Sequence, residues 1–152
     1  MKKFLIVLGS IFLAIIVTVA VGIAFVAVRG TRLDKESKVY ADTAISPIVG
    51  TWSEKALLDR ASPEFKQVST IDQLDRLFRW FSSLGRLQHA SPAEGHSLMS
   101  ATTEYGKRIT ADYDVKATFE KGEATIHLTL IKHGDNWQIM SFRVNSPALV
   151  PR

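Results

Sequence analysis

The side chains with the capacity for acid–base or ligand chemistry gather in one stretch, Ala111-Asp-Tyr-Asp-Val115, with His127 further along the same apolar–polar alternation. Carboxylates, a phenol and an imidazole are the groups from which general acid–base sites are built. Position along a strand decides whether they can meet. Ile109, Ala111, Tyr113, Val115, Ala117 and Phe119 alternate with Thr110, Asp112, Asp114, Lys116, Thr118 and Glu120, and successive residues of a strand point to opposite faces. Asp112 and Asp114 therefore point away from Tyr113, and the run does not converge on one reacting atom. It is expected to keep one sheet face wet. The remaining imidazoles, His89, His96 and His133, lack a His or Cys at the i+2 or i+4 spacing of metal ligands. No catalytic residue, metal site or cofactor is expected.

Around this strand the alternation predicts a hairpin. A two-residue turn at Lys121-Gly122 would set Phe119 against Ala124, Val115 against Leu128 and Lys116 against His127. The next loop is expected to have three residues, Gly134-Asp135-Asn136, because this pairs Leu130 with Met140, Leu128 with Phe142 and Ile126 with Val144 on one buried face. Ile131, Trp137 and Ile139 would then form an apolar patch on the outer face, suited to a partner. An earlier strand near Ser97–Glu104 would enter the meander through a Tyr105-Gly106 turn.

Helical signals precede the strands. Tyr40, Ala44, Ile48 and Trp52 recur at i+4, flanked by Val39, Ile45 and Val49, with Pro47 expected to kink or restart the helix. Ser53 can cap a second helix that ends before Pro63. A third, capped by Thr70 or Asp72, would bury Leu74, Leu77, Phe78, Phe81 and Leu84 and stop at Gly85. Two or three helices followed by an antiparallel meander with one apolar face make an α+β domain.

This order of elements, the long alternating hairpin and the closing "GDNWQIMSFRV" resemble the NTF2-like/cystatin-like superfamily, over most of the chain beyond the N-terminal run. The resemblance implies helices on the concave side of a curved sheet, in a cone whose interior can hold a small apolar ligand. Trp52, Phe78 and Tyr113 would line that pocket. Some members are isomerases or dehydratases, with a carboxylate base and tyrosine donors inside the cone. Here only Tyr113 has the inward parity, and the helix faces offer apolar residues only.

Residues Phe4 to Val28 contain no charge, enough to cross a bilayer as a helix and longer than the core of a cleaved signal peptide, the alternative reading. Ser10, Ala14, Thr18 and Gly22 recur every four residues, a stripe that lets a second membrane helix approach. The organisation expected is an anchor over 1–30, a juxtamembrane linker over 31–36, the NTF2-like domain over 37–147 and a tail over 148–152. Lys2 and Lys3 before the run favour an internal N-terminus and a domain outside the cytoplasm, while Arg29, Arg32, Lys35 and Lys38 argue the other way. With Lys2 and Lys3 set aside, 17 of the 19 basic residues face 15 acidic ones, a balance of about +2. No basic block or aromatic–basic platform occurs, which argues against nucleic acid as a partner.

Three functions follow as expectations. The first is a non-catalytic domain tethered in a bacterial inner membrane, facing the periplasm, that binds another membrane protein or itself. The layout is similar to that of single-pass scaffold subunits of secretion machinery. The second is a cone that binds a small apolar ligand, and the third an isomerase or dehydratase.

Overall fold

The computed structural model describes the backbone of residues 2–102 and 106–150, and the side chains of 14–24, 30–99 and 108–150. Helix α1 spans Lys2–Val49. The chain divides into two units, Met1–Leu33 and Asp34–Arg152, and the second carries the α+β domain. Residues 31–36, expected as a linker, are helical. Among the described residues no helix is long and apolar enough to cross a membrane. Of the charge-free run, the side chains from Ala14 to Ala24 are described and all are exposed.

Hydroxyl side chains mark the starts of the shorter helices. Ser53 Oγ accepts the Ala56 N–H at 3.2 Å to open α2 (Glu54–Leu58). Ser62 Oγ accepts the Phe65 N–H at 3.3 Å to open α3 (Pro63–Val68), where Pro63 occupies the first turn and has no N–H to satisfy. Helix α2 ends before Pro63, as expected, and Pro63 also opens a further short helix that the spacing did not predict. Thr70 and Gln73 exchange side-chain bonds with each other's backbone N–H, a reciprocal cap for α4 (Ile71–Phe81).

Pro47 does not restart the helix: α1 runs through it and ends two residues beyond it. The buried stripe of α1 in the domain runs through Ser37, Ala41, Ala44, Ile45, Ile48 and Val49, while Val39 is exposed, so the stripe is rotated from the expected one. Past the helix, Trp52 holds a positive φ of 49°, a conformation that costs a non-glycine residue energy. Its indole N–H donates to the Gly85 carbonyl at 3.0 Å, and its ring stacks on Phe119 with centroids 5.0 Å apart. Tertiary contacts thus hold a strained turn.

The sheet has five strands: β1 (Leu87–Ala90), β2 (Glu94–Thr102), β3 (Gly106–Phe119), β4 (Gly122–His133) and β5 (Asn136–Asn145). All pairings are antiparallel, in the order β1-β3-β4-β5, with β2 also on β3. Strands β1 and β2 lie along the same edge of β3, separated by Ser91-Pro92-Ala93 where Pro92 has no donor for the ladder. The expected Tyr105-Gly106 turn includes Tyr105, which lies outside the described residues. As the alternation predicts, Ala111, Tyr113, Val115, Ala117 and Phe119 of β3 and Ala124, Ile126, Leu128 and Leu130 of β4 are buried.

Two registers differ from expectation. The β3–β4 turn is Glu120-Lys121, with Phe119 opposite Gly122, Val115 opposite Ile126 and Asp114 opposite His127. Backbone bonds from Glu120 N–H to Arg86 O and from Lys121 N–H to Leu84 O secure that turn. A shift of two residues leaves every side chain on its face. Between β4 and β5 the loop has two residues, since His133 pairs with Asn136, and a β-bulge at Met140 follows, between the pairs Leu130–Ile139 and Thr129–Ser141. The extra residue restores the expected Leu128–Phe142 and Ile126–Val144 pairs. It also turns Trp137 and Ile139 to the face of Leu130.

Ile131, Trp137 and Ile139 are consequently not an exposed patch, because all three are buried. Residues 60–62 run beside Ile139, with Ser62 N–H donating to its carbonyl and its own N–H donating to Arg60 O, both at 2.8 Å. The Trp137 indole N–H is buried without a hydrogen-bond partner, while Lys132 Nζ sits 5.5 Å from the ring centroid.

Candidate functional site

On the outer face, the observed register brings together residues that sequence reasoning kept apart. His127 Nδ1 lies 2.5 Å from Asp114 Oδ1, and Thr129 Oγ1 donates to Asp112 Oδ1 at 2.7 Å. Glu94, Asp114, His127 and Arg143 form one row across four strands. A carboxylate that orients an imidazole is part of many acid–base sites. The row itself carries no hydroxyl or thiol, and the nearby Thr129 hydroxyl donates to Asp112. Among the described residues no group of His, Asp and Glu could hold a metal ion. An open groove of about 840 Å³ near the β3–β4 turn is lined by Lys116, Glu123, Thr125, Asn145 and His89 among others, a mixed polar surface with no convergent set of donors.

Tyr113 points inward, as its parity requires, and meets α1. Its hydroxyl lies 2.8 Å from Ser37 Oγ and 3.2 Å from the Asp34 carbonyl. Burial pushes its phenol above the ordinary value, with the Ser37 bond acting the other way. The Asp34 carboxylate accepts the Ser97 N–H at 2.6 Å and the Ser97 hydroxyl. Asp42 accepts the Ala93 N–H at 2.7 Å, and Lys38 donates to the Ala93 carbonyl at 2.6 Å. These groups satisfy one another across the helix–sheet boundary, so they fasten α1 to β2, β3 and the connection before β2.

Of the three residues expected to line a cone pocket, Trp52 and Phe78 both lie against Phe81, and Tyr113 meets Ser37. Trp52 stacks on Phe119 and lies 5.7 Å from Phe81, while Phe78 lies 6.0 Å from Phe81 and 6.2 Å from Phe142. Tyr113 sits at the middle of β3, against Ser37. In the anchor stripe, Ala14, Thr18 and Gly22 are exposed and Thr18 Oγ1 donates to the Ala14 carbonyl at 2.8 Å; the Ser10 side chain lies outside the described residues.

No protein-family model, curated protein or solved structure matches this chain.

A feature that periodicity does not reveal lies where α4 meets the end strand of the sheet through Phe78 and Phe142. Leu74, Phe78 and Phe81 are buried, but Leu77 and Trp80 remain 41% and 47% exposed. They form a ridge between two hollows. One, of about 390 Å³, is lined by Ser69, Gln73, Leu74, Arg76, Leu77 and Trp80. The other, of about 580 Å³, is lined by Leu77, Trp80, Phe142, Arg143 and Val144 among others. Neither lining contains a carboxylate. The signal in the sequence was an apolar arc on α4 wider than one sheet edge can cover, since Ile71, Leu74, Leu77, Phe78, Trp80 and Phe81 extend well beyond the stripe of Leu74, Phe78 and Phe81.

Proposed function

We propose that this chain is a non-catalytic, membrane-tethered domain that binds another protein, with residues 4–28 as the anchor and the α+β domain, read as NTF2-like, on the extracytoplasmic side of a bacterial inner membrane. The observation that carries the reading is the exposed Leu77–Trp80 ridge with its flanking hollows. A large indole and a leucine left open beside half-buried Phe142 and Val144 supply the rigid apolar anchor points typical of protein interfaces. The exposed side chains of Ala14–Ala24, with Ile15, Val21 and Ile23 each more than half exposed, support the tether, because such a run is unfavourable in water and favourable in lipid. The partner is another membrane protein or a second copy of this chain.

In vivo crosslinking of the full chain in its native membrane, followed by mass spectrometry, tests this reading. A reproducible protein attached through any surface of the domain supports it. Recovery of the chain in the soluble fraction, or of no crosslinked protein at all, overturns it.

A further inference from the structure

Building on the protein-binding reading, we propose that the outer edge of β5 from Ser141 to Asn145, together with the hollows beside Leu77 and Trp80, receives an extended segment of a partner protein in which acidic and apolar residues alternate. Strand β5 ends the sheet. Its outer edge is bridged by the chain's own residues at Ile139, through Ala61, and among the described residues no further backbone bonds or bridges cover that edge towards Asn145. An uncovered edge is a template on which a guest strand makes main-chain hydrogen bonds, with side-chain sites setting the choice of guest.

The two faces of β5 differ along this edge, and that difference dictates the pattern of the guest. Phe142 and Val144 have the inner parity, next to Leu77, Trp80 and Phe81 of α4. Arg143 has the outer parity and stands beside His127. Alternate residues of an added strand face the same two sides. Those turned to α4 meet an apolar hollow; those turned outward meet Arg143.

Charge selects the acidic class. Arg143 and Arg76, one on each side of the ridge, have no ion-pair partner among the described residues, whereas Arg79 is engaged by Asp75 at 2.7 Å. The nearest carboxylate of the outer row, Asp114, is taken by His127. Guanidinium groups left open in this way match carboxylates by paired hydrogen bonds.

Phage-displayed random peptides panned against the detergent-solubilised full chain test the inference. Enriched peptides are expected to alternate apolar and acidic residues, with binding reduced about tenfold by Arg143→Glu and by Trp80→Ala. Peptides with lysine in place of the acids are expected to prefer the Arg143→Glu protein, a gain that a damaged fold would not produce. Enrichment of basic peptides, absence of enriched peptides, or binding indifferent to both substitutions overturns it. So does a self-association of the wild-type chain that Arg143→Glu abolishes, which would make the occupant a second copy. If crosslinking still captures a membrane protein, for example through Lys116 on the polar groove, the protein-binding reading stands while the β5 edge loses its role.

Discussion

Tyr113 is the residue at which a site for chemistry and a device for stability are most easily confused. Its hydroxyl sits between Ser37 Oγ and the Asp34 carbonyl, so Tyr113→Phe is expected to cost about 1 kcal/mol in urea unfolding at neutral pH. Burial raises the folded-state pKa above the ordinary 10.0. The stability linked to it is full below 10.0 and is lost as pH rises through the higher folded value. The gap between wild type and Tyr113→Phe should therefore narrow in strongly alkaline solution; a constant gap would contradict the linkage. Glu64 behaves in the opposite sense. Burial works against its charge, but backbone N–H at the start of α3, the Ser62 hydroxyl and His133 together hold its pKa below the ordinary 4.5. Its contribution is present above 4.5 and is lost as pH falls through the lower folded value. Acid unfolding of Glu64→Gln should accordingly show a shallower dependence on pH below 4.5 than the wild type, and identical curves would remove Glu64 from the acid limb.

Among the elements, α4 and β5 carry the proposed binding face. The reciprocal Thr70–Gln73 cap satisfies backbone donors that would otherwise be left open, and Thr70→Ala is expected to lower stability by about 1 kcal/mol in thermal or urea melts. The bulge at Met140 is a larger lever. Deleting Met140 would keep the Leu128–Phe142 pair only by turning Trp137 and Ile139 to the other face, or keep those two inside by displacing Phe142. Either way large side chains leave the core, and a loss of at least ~3 kcal/mol is expected from the usual value of burying such groups. A melting temperature unchanged by the deletion would show that β5 tolerates both registers.

For the whole molecule, the proposed tether poses the question of which side of a membrane the domain would occupy. The chain contains no cysteine, so a single introduced thiol reports its position without background. Lys121→Cys, at the exposed β3–β4 turn, is expected to react with a membrane-impermeant maleimide applied to spheroplasts. Labelling only after lysis would place the domain in the cytoplasm and reverse the proposed orientation, leaving the basic residues from Arg29 to Lys38 as the orienting signal.

What the sequence by itself determined was everything that depends on local period and local capping. The inward set from Ala111 to Phe119, the outward set from Asp112 to Thr118, the cap at Ser53 and a helix start at Thr70 or Asp72 were legible, because parity and caps require only a few neighbouring residues. Tertiary structure decided what depends on partners distant in the chain. His127 faces Asp114 and not Lys116 because Leu84 and Arg86 secure the turn at Glu120-Lys121. Trp137 and Ile139 are buried because a bulge trades one loop residue for one strand residue, two solutions that leave the same register beyond Met140. Leu77 and Trp80 are exposed because the sheet ends at β5, and periodicity along a helix records how wide its apolar arc is, not how much surface is there to cover it.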